Sequence, residues 1–99
     1  MSNYTVYVTP QAWQEIKTLP GNIRQRIRRV IDALADDPQP ASSKKLNLPD
    51  IEFEVHRLRL ERWRLIYAVN DNELTVDILA VRKRPPYDYG DLEALLETL

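Results

Sequence analysis

Apolar and polar residues alternate one for one at the start of the chain. Tyr4, Val6 and Val8 interleave with Asn3, Thr5 and Tyr7, the period of a strand over 3–8. The period then lengthens. Thr9 is placed to cap a helix that Pro10 enters at its first position, where the missing proline N–H costs nothing. Ala12, Trp13, Ile16 and Leu19 form its apolar stripe, and Leu19-Pro20-Gly21 ends it. A second helix follows, with Asn22 as its expected cap. Ile23, Ile27, Val30, Ile31 and Leu34 recur on one face at 3.6 residues per turn, and Arg24, Arg26, Arg28 and Arg29 cover the rest. Asp36-Asp37-Pro38 stops it. The short break at Pro20 makes the pair a helical hairpin.

Residues 38–50, rich in proline and poor in large apolar groups, read as a loop. From Ile51 the period becomes two, and three strands are expected at about 51–60, 63–69 and 74–82, joined by turns at Glu61-Arg62 and Asn70–Glu73. A two-residue first turn sets Leu60 opposite Trp63, Leu58 opposite Leu65 and His56 opposite Tyr67. A four-residue second turn sets Val69 opposite Leu74, Tyr67 opposite Val76 and Leu65 opposite Ile78. Both registers gather Leu58, Leu65, Tyr67, Val69, Leu74, Val76 and Ile78 on one face, which the helices should cover. Leu92, Leu95, Leu96 and Leu99 then recur at helical spacing over 91–99, a short terminal helix with Asp91 as cap. The expected fold class is α+β in a single domain spanning 1–99: an N-terminal strand, a helical hairpin, an antiparallel sheet of three further strands and a short C-terminal helix.

Composition narrows the chemistry. Of 99 residues, 43% are apolar, enough for one modest core. With no cysteine there is neither a disulfide framework nor a thiolate metal site, and a reducing, cytoplasmic setting is expected. No apolar run approaches a membrane span or a signal-peptide core. A net charge of −1 gives no general attraction to nucleic acid, but its distribution is uneven. Basic residues bunch at Lys44–Lys45, Arg57–Arg64 and Arg82–Arg84, while 85–99 hold four acids and no base, a pattern that suggests a local anionic ligand.

The hairpin register sharpens this. Arg59 falls directly opposite Arg64, with Arg57 two residues away on the same face. Like charges paired across strands repel, and an anion between them converts repulsion into binding, since guanidinium groups grip phosphate through two parallel bonds. Lys83 and Arg84 arrive at the end of the last strand, Tyr87 and Tyr89 follow, and Lys44 and Lys45 enter from the loop. The plainer alternative is that Arg57 and Arg59 pair with Glu52, Glu54 or Glu61 on the surface. His56, Tyr67, Trp13 and Trp63 read as core residues. A single histidine, scattered acids and only two glycines offer no metal cluster, phosphate loop or serine triad, so neither a metal nor a cofactor is expected.

The order β-α-α-β-β-β, the segment Lys45-Leu46, the run Arg59-Leu60-Glu61-Arg62-Trp63-Arg64-Leu65-Ile66-Tyr67 and the closing Val81-Arg82-Lys83-Arg84 followed by tyrosine resemble the RelE/ParE superfamily of bacterial toxins. The resemblance spans nearly the whole chain. It implies the toxin of a type II toxin–antitoxin pair, with a cognate antitoxin as partner. For RelE-type members it further implies metal-independent cleavage of messenger RNA on the ribosome, the RNA's own 2′-hydroxyl attacking the neighbouring phosphate. On that resemblance Arg64 and Arg84 stabilise the phosphate. Arg57 stands where the family carries a lysine resembling the leaving-group acid, a departure, because arginine keeps its proton. Tyr87 or Tyr89 corresponds to the C-terminal tyrosine that acts as base or stacking platform. Lys44, Lys45, Arg59, Arg62 and Lys83 are the further expected RNA contacts. The alternatives within and beside the superfamily are a ParE-like protein that inhibits DNA gyrase without cutting, and a non-toxic partner domain. ParE-type members lack the arginine–tyrosine set, which favours cleavage.

Overall fold

The structure, a computed structural model, describes residues 3–46 and 54–83. Strand β1 (Thr5–Val8) leads directly into helix α1 (Pro10–Lys17). The Thr9 hydroxyl accepts from the Ala12 amide at 3.2 Å and donates to the Ile78 carbonyl at 2.8 Å, so one side chain caps the helix and ties it to the sheet. Helix α2 (Gly21–Leu34) follows the break at Pro20. Asn22, the expected cap, is already inside the helix. Pro20 holds the cap position without a side-chain bond, and its carbonyl accepts from the Arg24 amide.

Strand β2 (Ser43–Lys45) occupies what the sequence read as loop, and β3 (Glu54–Leu60), β4 (Trp63–Asn70) and β5 (Thr75–Lys83) complete the chain order. The sheet runs β1-β5-β4-β3-β2. β1 lies parallel to β5, and every other pairing is antiparallel. The expected α+β architecture of strand, helical hairpin and antiparallel sheet is present. The expected terminal helix at 91–99 lies outside the described residues.

The β3–β4 register holds residue for residue: Leu60 faces Trp63, Leu58 faces Leu65 and His56 faces Tyr67. Glu61 takes φ 55°, the left-handed conformation that tight hairpin turns use at their first position. The β4–β5 register differs from expectation. Val69 pairs with Val76 and Tyr67 with Ile78, because Leu74 is not in the strand but in the turn, at φ 55° and 47% exposed. A displacement of two keeps each side chain on its face, so the apolar face survives the error, minus Leu74. Leu79 is then an extra residue on β5: Tyr67 pairs with Ile78 but Ile66 pairs with Ala80.

One face of the sheet supplies Leu58, Leu65, Tyr67, Val69, Val76, Ile78 and Val81 to a core completed by Ala12, Ile16 and Leu19 and by Ile23, Ile27, Ile31 and Leu34 of the helices. Trp63 packs against this core. Trp13 does not join it. It stands 51% exposed, with the Lys17 ammonium 5.8 Å from its ring centroid, because Ala12 and Ile16 already fill the contact with the sheet. His56 is buried as expected, stacked on Tyr67 with centroids 5.5 Å apart, and Tyr67 donates to the Pro38 carbonyl at 2.8 Å.

Candidate phosphate-binding face

Because side chains alternate along a strand, the residues between the core positions share the opposite face. Two rows of cations cross it. Lys44 of β2 faces Arg57 of β3, and Arg57 faces Ile66 of β4. One step nearer the hairpin turn, Arg59 faces Arg64, and Arg64 faces Arg82 of β5. Each row sets like charges directly opposite one another, an arrangement that costs stability unless an anion or an internal acid offsets it.

Of the three acids expected to pair with β3, Glu52 lies outside the described residues and the other two make ion pairs with other groups. Glu61 pairs with Arg26 of α2 at 2.7 Å. Glu54 lies 3.5 Å from Lys45 and 3.3 Å from His56 Nε2. Arg59 is exposed and has no carboxylate partner among the described residues. Arg64 differs from the expectation of an exposed pair. It is only 3% exposed, and its Nη1 lies 3.5 Å from the Trp63 carbonyl. The pair therefore offers one arginine to solvent and keeps the other buried.

Arg82 belongs to a basic cluster and a family motif in the sequence, but the sequence assigns it no role of its own. A register without the extra Leu79 would set Val81 beside Arg64 and turn Arg82 toward the helices. The bulge reverses this and completes a three-arginine row. Glu15 of α1 holds Arg82 by a 3.2 Å bond to Nε.

The other expected contacts divide. Lys44 and Arg57 join the arginine face. Arg62 is exposed in the hairpin turn. Lys45 stands opposite His56, and Lys83 opposite Trp63, both at positions that belong to the helix-bearing side. Arg84, Tyr87 and Tyr89 lie outside the described residues. Further along the arginine face, burial raises the carboxyl pKa of Asp77 above its ordinary value. Among the described residues no group of three or more histidine, cysteine or acidic side chains is arranged to hold a metal ion. No helix among them is long and apolar enough to cross a membrane.

A two-helix layer on one side of a five-stranded sheet, with arginines ranked across the other side, defines a small toxin domain of the RelE/ParE superfamily. The chain belongs to the ParE toxin family of the type II toxin–antitoxin system parDE, whose family model matches residues 6–85. It is 29% identical over 89 residues to an Escherichia coli protein described as a RelE-like toxin, covering 90% of this chain and 92% of that one. Among solved structures it resembles the archaeal RelE–RelB complex of Pyrococcus horikoshii, at 26% identity and a TM-score of 0.75 over 86% of this chain and 99% of that one. It also resembles the RelBE2 toxin–antitoxin complex of Mycobacterium tuberculosis, at 28% identity and a TM-score of 0.71 over 83% of this chain and 99% of that one.

Proposed function

We propose that this toxin is an endoribonuclease that cuts messenger RNA in the ribosomal A site without a metal, and that a cognate antitoxin restrains it. The observation that carries this reading is the row Arg59–Arg64–Arg82, three arginines at paired positions on adjacent strands. Such a row suits a phosphodiester whose charge grows during reaction. As the 2′-oxygen loses its proton and bonds to phosphorus, a second negative charge builds on the phosphoryl oxygens of the five-coordinate state; the P–O5′ bond then breaks, leaving a 2′,3′-cyclic phosphate and a 5′-oxygen that takes a proton from water. Fixed guanidinium donors lower that barrier, and removing one such donor costs about 100- to 1,000-fold in rate.

Arginine cannot move the protons, because its pKa exceeds about 12. The face therefore binds and stabilises. Tyr87 or Tyr89 takes the proton of the 2′-hydroxyl or stacks on a base. Arg84 adds to the phosphate site, and Arg57 stabilises the leaving oxygen's charge without protonating it. Arg59 meets the backbone first, and Arg64 supports it from below. Lys44, Lys45, Arg62 and Lys83 extend the attraction to RNA. The solved complexes that resemble this chain pair a toxin with its antitoxin, which supports an antitoxin here as well.

A second reading, a ParE-like inhibitor of DNA gyrase, is favoured by the family model that matches the chain. One experiment separates the two. The Arg64→Ala, Arg84→Ala double variant and the parent are induced in cells, with primer extension on a translated message and a gyrase supercoiling assay run in parallel. Cleavage by the parent that the double variant loses while remaining folded supports the nuclease. Intact messages together with inhibited gyrase support the second reading.

A further inference from the structure

Strand β1 shields β5 only as far as Ile78, whose carbonyl takes the last backbone bond, from Thr9. Beyond that point the outer edge of β5 has no neighbouring strand among the described residues, and α1, which starts at Pro10, runs past it. Glu15 occupies the gap. Its Oε1 accepts the Val81 amide at 2.9 Å, while Oε2 accepts Arg82 Nε at 3.2 Å and Gln11 Nε2 at 3.4 Å. The side chains of Glu15 and Arg82 are 20% and 27% exposed, so water screens their bond less than it would on an open surface. An amide side chain would satisfy the Val81 N–H equally well. Only a carboxylate both closes the edge and grips a guanidinium.

We propose that Glu15 is a positioning residue of the arginine row, an inference that rests on the RNA-cleavage reading. It fixes the Nε edge of Arg82 from the helix side and so sets the direction from which that guanidinium meets the scissile phosphate beside Arg64. A carboxylate in this place weakens the net attraction for RNA and sharpens the geometry of the row. Its removal should therefore affect turnover and binding in opposite senses. Loss of folded protein would instead lower activity with no gain in affinity.

The test is a double-mutant cycle of Glu15→Gln and Arg82→Ala, measured by single-turnover cleavage of a translated message on programmed ribosomes. In the parent background Glu15→Gln should lower the saturating rate about tenfold or more, since misplacement on the ångström scale costs up to about 100-fold. The half-saturating concentration should fall. In the Arg82→Ala background the same change should cost less than about twofold, because a residue acting through Arg82 has nothing left to act on. Hydrogen exchange by NMR supplies a readout free of activity. Glu15→Gln should leave the Val81 amide protected and expose the Arg82 Nε–H. A parent that cleaves RNA with additive losses around the cycle, or an unchanged Arg82 Nε–H, overturns the positioning role alone. A parent that cleaves nothing overturns it together with the nuclease reading.

Discussion

Arg59 and Arg64 stand opposite one another across the β3–β4 hairpin, yet only Arg59 meets solvent. The asymmetry divides their tasks. Arg59→Thr removes a repulsive cross-strand pair and introduces a good strand former. Stability should rise by about 0.5 kcal/mol, visible as a higher denaturant midpoint at unchanged slope. On the RNA-cleavage proposal, RNA affinity should drop, and its salt dependence should become shallower by about one unit, the signature of one lost phosphate contact. A stability loss from this exposed change would contradict the account.

Tyr67 anchors the segment after α2 from inside the core. Tyr67→Phe removes its bond to the Pro38 carbonyl and should cost about 1 kcal/mol in thermal or denaturant unfolding, leaving activity per folded molecule unchanged. Burial, the largest influence, raises the pKa of this phenol above 10.0. The unfolded chain therefore ionises its tyrosine first. Stability from this residue is intact below pH 10 and is lost as pH rises through the higher folded value. The phenylalanine variant should show a shallower alkaline decline than the parent.

Asp77 works in the opposite direction from most acids. Its folded pKa is raised above 3.8 by desolvation, so between those two values the folded state holds more proton than the unfolded one. Stability falls as pH climbs through that window, and the full penalty persists at neutral pH. Asp77→Asn should raise the melting temperature at pH 7 and change it little at pH 3. Equal shifts at both values would exclude charge burial as the cause.

Two helix residues of similar apolar character should differ sharply in cost. Ile27 is fully buried against the sheet, so Ile27→Ala should lose about 2–5 kcal/mol. Trp13 is half exposed and touches Lys17, so Trp13→Ala should cost less than about 1 kcal/mol despite removing the larger side chain. Chemical denaturation of the two variants side by side reads the difference.

The β3–β4 pairing could be read from the chain because Leu58, Leu60, Trp63 and Leu65 alternate with arginines across a turn of fixed length. The β4–β5 pairing could not. Leu74 looks like a strand residue, whereas its positive φ and the bond from the Glu73 amide to the Asn70 side chain place it in the turn. The extra Leu79 lies in the continuous apolar run Ile78-Leu79-Ala80-Val81, which has no alternation to break, so nothing announced that Arg82 would change faces. Strand β2 was hidden for a related reason: Ser43-Lys44-Lys45 carries no apolar period and exists only because β3 offers it an edge. Trp13 misled because its helical phase fits the stripe, whereas the space beneath α1 is filled by smaller neighbours.

The parallel pairing of Thr5 with Thr75 has a consequence for synthesis. On the ribosome the first strand emerges long before β5, its partner among the described residues, and the helical hairpin has no finished floor until β5 arrives. The same late strand delivers Arg82. A truncated nascent chain therefore cannot assemble the row, and the face that the three arginines share comes into being in one late step.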